Sequence, residues 1–162
     1  MIKMNNKNAM IELQHIQLEL NNQRTQHMRH FIDQYYCYKN NLVTVTGKAN
    51  WDKILWNGYV SKNAAIEIDR KKVTKEHIVP LKVIVHELTL LNTKAEISLD
   101  TIQNCIDNLL MFATITKEED AKLRSLKLTS SMPVGYQLSN DPLYGDKFSR
   151  YKLAGIELLE RT

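Results

Sequence analysis

The sequence predicts a single α+β domain, and three patterns carry the prediction. From about residue 8 to 36 there is no Gly or Pro, and Leu13, Ile16, Leu20, His27, Phe31 and Tyr35 recur at helical steps. Between about 42 and 80, β-branched segments alternate with turn residues, which is the signature of a small sheet. From 81 to 126 the helical period returns. The 162 residues suit one hydrophobic core, which typically serves roughly 100 to 200. With 43% hydrophobic and 25% charged residues the chain has an ordinary globular composition, which excludes a disordered segment.

Taken in order, the first element is a long N-terminal helix over about 8–36. Its length leaves a homodimer through this helix open, but Asn21, Asn22 and Arg24 interrupt the seam, so packing on its own domain is the simpler expectation. His15, His27 and His30 lie in it without a Cys partner at ligand spacing, and no metal site is expected there. Leu42-Val43-Thr44-Val45-Thr46, between Asn40-Asn41 and Gly47, reads as a strand. Asn57-Gly58 marks a strand or tight turn among Trp51, Ile54, Leu55, Trp56, Tyr59 and Val60, and the two tryptophans read as core anchors. Ser61 is placed to cap a short helix over 63–68.

The run from Val73 to Pro80 is extended, because residues before proline avoid the helical region, and it sets His77 near a strand end. Helices follow over 81–91, where His86 reads as a packed histidine, and from Asp100 through Leu109; residues 110–116 are ambiguous between helix end and strand. Thr116 with Glu119 three residues later is a capping box opening a helix to Leu126. Met132-Pro133 and Asn140-Asp141-Pro142 mark loops, and a short C-terminal helix closed by Gly155 leads into a strand-like tail.

Composition narrows the function classes. No stretch approaches the roughly 18 apolar residues of a bilayer span, and residues 1–8 lack the apolar core of a signal peptide, so a cytoplasmic protein with no membrane partner is expected. Two cysteines, Cys37 and Cys105, build neither a disulfide framework nor a four-Cys zinc site and read as reduced, buried thiols. Phosphate-cradling Gly-rich loops and the Gly-x-Ser-x-Gly elbow are absent, which excludes those nucleotide and serine hydrolases. Lys and Arg number 22 against 18 Asp and Glu, a net charge of +4 that favours a polyanionic partner such as DNA. Lys71, Lys72 and Lys75 precede His77, and Lys122 and Arg124 follow the acidic run 118–120, so the candidate nucleic-acid contacts flank the candidate chemistry.

Three segments resemble the parts of the HNH, or His-Me finger (ββα-metal), nuclease motif: Glu76-His77-Ile78-Val79-Pro80, Ile106-Asp107-Asn108-Leu109-Leu110, and Ile115-Thr116-Lys117-Glu118-Glu119-Asp120-Ala121-Lys122. The nearest likeness is to the HNH domain of the RNA-guided CRISPR nucleases, and it covers about 73–126. The resemblance implies His77 as the base that activates water, Asn108 as the residue that orders the loop and orients His77, and Glu76 with Glu119, or Asp120 in its place, as ligands of Mg²⁺ or Mn²⁺. It implies a metal-dependent DNA endonuclease or nickase. The tail, with Met132-Pro133, Asp141-Pro142, Arg150-Tyr151 and Gly155-Ile156-Glu157, resembles uncharacterised bacterial and phage-type proteins. The residues also admit a blander reading. A His before Pro at a strand end is often a structural hydrogen-bonding residue, and acids in a first helical turn are what the helix dipole favours. The alternative function is therefore a non-catalytic protein of bacterial or phage type, on the same scaffold, that binds nucleic acid or regulates a partner.

Overall fold

The computed structural model describes residues 2–161. Its helices are α1 (Ile2–Asn21), α2 (Met28–Lys39), α3 (Lys62–Ile66), α4 (Leu81–Lys94), α5 (Leu99–Leu109), α6 (Lys117–Ser125) and α7 (Ser149–Ala154). Its strands are β1 (Gly58–Ser61), β2 (Val73–His77), β3 (Phe112–Thr116) and β4 (Leu158–Arg161), in one sheet ordered β2-β3-β1-β4. The fold is thus α+β, as the periodicities predict. The chain divides into two compact units: the residues up to Trp51 with Ile84–Leu110, and Asp52–Val83 with the residues from Met111 on.

The first unit is helical. Where the sequence reads as one helix over 8–36, two form, because α1 closes on itself after Asn21. Gln23 takes the left-handed conformation at φ 55°, its N–H donates to the Leu20 carbonyl, and the Arg24 N–H donates to the Glu19 carbonyl. These are the two bonds of a Schellman closure, here with glutamine where glycine is usual. Leu13, Ile16 and Leu20 of α1, Met28, Ile32 and Tyr35 of α2, Ile84 and Leu88 of α4, and Ile102 and Ile106 of α5 are buried. The strand expected at 42–46 is a turn: only Val43 and Ala49 form an isolated bridge, Gly47 sits at φ +80°, and Val45 is fully exposed. The Gly47 carbonyl accepts from Tyr38 Oη at 2.8 Å and Gln34 Nε2 at 3.1 Å, so α2 anchors the turn. Ser98, two residues earlier than the expected start, caps α5 by accepting the Thr101 N–H at 3.1 Å. His86, expected to be packed, is exposed on α4.

The second unit is the sheet with α3, α6 and α7. β2 and β3 are antiparallel, with Val73 opposite Thr116 and His77 opposite Phe112; β3 runs parallel to β1, and β4 antiparallel to β1. All five residues of β3 are buried, because both faces of that strand are covered. On one face Ala113 and Ile115 pack with Ile78, Leu123 of α6, and Tyr151 and Ala154 of α7. Elsewhere in the unit Val60, Val73 and Ala64 of α3 form a smaller cluster with Trp56, which is the anchoring role expected of that tryptophan. Two strands end directly in helix caps. Ser61 closes β1 and accepts the Ala64 N–H of α3, and Thr116 closes β3 and accepts the Glu119 N–H of α6. α7 ends at Gly155, whose φ of +66° only glycine adopts readily, and the chain turns from there into β4.

Candidate functional site

Strand alternation decides where the Glu76-His77 pair points. Neighbouring residues of a strand face opposite sides of the sheet. Glu76 meets α7: Oε2 accepts from Arg150 Nη2 and from Tyr151 Oη, each at 2.7 Å, and Oε1 accepts from Arg150 Nη1 at 3.4 Å. His77 is buried at 7% exposure, and its ring lies 4.7 Å from that of Phe112, its partner across the ladder. Leu123 of α6 packs in the same cluster as Tyr151, so α6 covers the face to which Glu76 points and His77 points away from it.

Glu119 is fixed beyond the other end of the β2–β3 ladder. It accepts the Thr116 N–H at 2.9 Å, the Ser61 hydroxyl at 2.5 Å and Asn63 Nδ2 at 3.0 Å, which completes the capping box and ties α6 to the β1–α3 junction. From the His77–Phe112 rung to the Val73–Thr116 rung is about 13 Å of strand at the usual rise per residue. Asp120, one residue on, pairs with Arg124 at 2.7 Å on the outer side of α6. Asn108 is exposed on α5 and belongs to the first unit.

The structure therefore does not bring Glu76, His77 and Glu119 around one point, and among the described residues no three His, Cys, Asp or Glu side chains converge as metal ligands. Each carboxylate already accepts three hydrogen bonds, which leaves little lone-pair capacity for a shared divalent ion. As placed here, Glu76, His77 and Glu119 do not form one shared site for Mg²⁺ or Mn²⁺. A cavity of about 270 Å³ opens beside Glu119, lined by Asn63, Thr116, Glu118, Lys122, Gly155 and Ile156, with a single acidic side chain besides Glu119.

Arg150, which the sequence offers only as part of the tail pattern, is the side chain on which this end of β2 depends. It is completely buried, and besides Glu76 it donates to the carbonyls of His77, Ile78 and Leu128. Its signal in the sequence was faint: an arginine in a short helix between Ser149 and Tyr151, whose nearest acid, Asp146, pairs instead with Lys152. Tyr151 beside it is buried, and that burial, reinforced by the Glu76 charge, holds its phenol well above the usual tyrosine range. Of the two cysteines, Cys37 is buried as expected and Cys105 is partly exposed. Burial followed by the charge of Glu87 pushes the Cys105 thiol up to about 11, so it is not a thiolate nucleophile near neutrality.

The basic groups fare differently. Arg70–Lys72 form a single 3-10 turn immediately before Val73, and Lys117 immediately follows Thr116. Since Val73 and Thr116 are paired, the four cations stand at one end of the β2–β3 ladder, and all are exposed. Arg70 pairs with Asp52 at 3.3 Å and Lys72 with Glu67 at 3.5 Å, both pairs open to water. Lys75 sits farther along β2 with its ammonium 4.4 Å from the centre of the Phe112 ring. Lys122 and Arg124 lie on α6; the Lys122 ammonium is 3.7 Å from where a Cβ on Gly155 would stand.

Comparison with protein-family models, with curated proteins and with solved structures yields no match to this chain. No helix among the described residues is long and apolar enough to cross a membrane.

Proposed function

We propose that this chain is a non-catalytic nucleic-acid-binding protein whose contact surface is the basic end of the β2–β3 ladder. The observation that carries the reading is the register: pairing Val73 with Thr116 brings Arg70, Lys71 and Lys72 to the same end as Lys117, a residue far along the chain. The acids of the HNH-like motif meanwhile hold the fold together, Glu76 through α7 and Glu119 through the α6 cap. Exposed cations on a rigid sheet end suit phosphate contacts, which position a duplex without reading its bases. The exposed pairs of Arg70 and Lys72 give way readily to phosphate, since such surface ion pairs contribute little.

The test is fluorescence anisotropy with a labelled duplex at several salt concentrations. Wild type is expected to bind, with log affinity falling linearly in log salt. Lys71→Glu/Lys117→Glu is expected to weaken binding similarly for unrelated sequences and to flatten the slope by about 2, at about 0.9 per lost phosphate contact. No binding by wild type at about 50 mM salt overturns the reading and favours a protein that regulates a protein partner.

The order of elements favours a second reading, a Mg²⁺-dependent DNA endonuclease or nickase of the HNH type. His77 ends the first of two antiparallel strands, and a helix follows the second directly. Under that reading, supercoiled plasmid is nicked in Mg²⁺ or Mn²⁺ and His77→Ala abolishes the nicking. Binding without nicking leaves the first reading alone.

A further inference from the structure

Between α3 and the basic turn the usual distribution of side chains is inverted. Ile66 and Ile68 are exposed at 83% and 94%, while the glutamate between them is turned back onto the chain. Glu67 Oε1 accepts the N–H of Ile68 at 3.0 Å and of Asp69 at 2.9 Å, and Oε2 pairs with Lys72. Asp69 in turn accepts the Lys71 N–H at 2.9 Å and caps the basic turn. The preceding helix end is braced as well: the Ala64 carbonyl accepts from Trp56 Nε1 at 3.3 Å, and the Ala65 carbonyl from Arg161 at 3.2 Å. Two isoleucines are thus held in water on a pinned segment, two to six residues from three cations. An exposed isoleucine is unremarkable alone; two on a braced projection beside Arg70, Lys71 and Lys72 form an apolar point with a cationic base.

We infer that Ile66 and Ile68 form a wedge that enters a base step of duplex DNA and bends it, while Arg70, Lys71, Lys72 and Lys117 hold the flanking phosphates. The inference rests on the nucleic-acid-binding reading and names how that surface engages its ligand. A wedge needs only one or two apolar side chains, because partial unstacking of one step kinks the duplex and brings more phosphate to the protein. A bilayer surface is the less suitable occupant. Two isoleucine side chains carry fewer carbons than one myristoyl chain, which by itself anchors only marginally.

The probe is a short duplex labelled at both ends for energy transfer, in two versions: one with central TA steps, which unstack easily, and one with a stiff A-tract. Wild type is expected to shorten the end-to-end distance of the TA duplex and to bind it at least about fivefold more tightly than the A-tract. Ile66→Ser/Ile68→Ser, whose fold is checked by circular dichroism, is expected to lose the bend and the preference while keeping the salt slope. If the double variant bends the TA duplex as wild type does, the wedge is wrong and the binding reading stands. If wild type binds neither duplex, the binding reading falls and the wedge with it. Partition of wild type, but not of the double variant, onto phosphatidylcholine–phosphatidylserine vesicles without DNA bending overturns the wedge in favour of a membrane contact.

Discussion

Glu76 and Arg150, 74 residues apart in sequence, form a two-point ion pair in which Nη2 lies 2.7 Å from Oε2 and Nη1 3.4 Å from Oε1. The guanidinium is wholly out of water and its remaining hydrogens point at the carbonyls of His77, Ile78 and Leu128. It thereby clamps the chain where β2 ends and turns toward Pro80, and it fixes the backbone at Glu76, His77 and Ile78. The carboxylate beside His77 is a partner of the fold.

Arg150→Met is expected to destabilise the protein by about 3–5 kcal/mol, because it leaves a half-buried carboxylate without its counter-charge, with Tyr151 as its remaining side-chain donor, and takes a donor from three carbonyls. Glu76→Gln keeps an acceptor for one guanidinium N–H and is expected to cost less, about 1–3 kcal/mol. Urea unfolding of the two variants at matched pH gives both numbers. A loss below about 1 kcal/mol for Arg150→Met contradicts the clamp.

Glu119 and Thr116 give a second measurable brace. Thr116→Ala removes one half of the capping box and is expected to cost about 1 kcal/mol. Glu119→Leu is expected to cost more, since Ser61, Asn63 and the Thr116 N–H all lose an acceptor. Because those donors already occupy the carboxylate, millimolar Mg²⁺ should leave the melting temperature of wild type unchanged. A ligand binding only the native state would raise it, so a Mg²⁺-dependent rise lost in Glu119→Gln would count against this account.

What was legible in the sequence was local. The capping box at Thr116 and Glu119, the Ser61 cap, the extended run toward Pro80 and the Gly155 closure all depend on residues within a few positions of one another, and each forms, although the helix after Ser61 ends at Ile66 where 63–68 was expected and the strand ends at His77. The misses have two physical origins. At Gln23 and in the 42–47 turn, left-handed backbone or tertiary hydrogen bonding overrode propensity, and neither leaves a reliable mark in composition. Arg150 and the meeting of Arg70–Lys72 with Lys117 depend on pairings across dozens of residues, which periodicity does not encode. The extended course of β2 was therefore legible, whereas the partner that Glu76 takes was not.

Tyr151 makes the burial of this clamp visible in alkaline solution. Its phenol is held well above its ordinary value of 10.0, first by burial and then by the Glu76 charge, with Arg150 opposing. Above about pH 10 an unfolded chain releases the tyrosine proton while the native chain keeps it, so the unfolded state binds fewer protons and stability falls as pH rises. The contribution is fully present below about pH 10 and is lost progressively above it, at up to about 1.4 kcal/mol per pH unit for one proton. Tyr151→Phe is expected to cost about 1 kcal/mol near neutral pH, where it loses the bond to Glu76, and to flatten the alkaline slope by one proton. Tyr35, raised by its own burial and by its bond to Asp107, supplies a second such proton, so Tyr35→Phe should flatten the slope independently. Urea unfolding of wild type and both variants from about pH 9 to about pH 11 measures the slopes. An unchanged slope in Tyr151→Phe would mean that the phenol ionises in the native state as freely as in the unfolded one, and that the clamp is open to water.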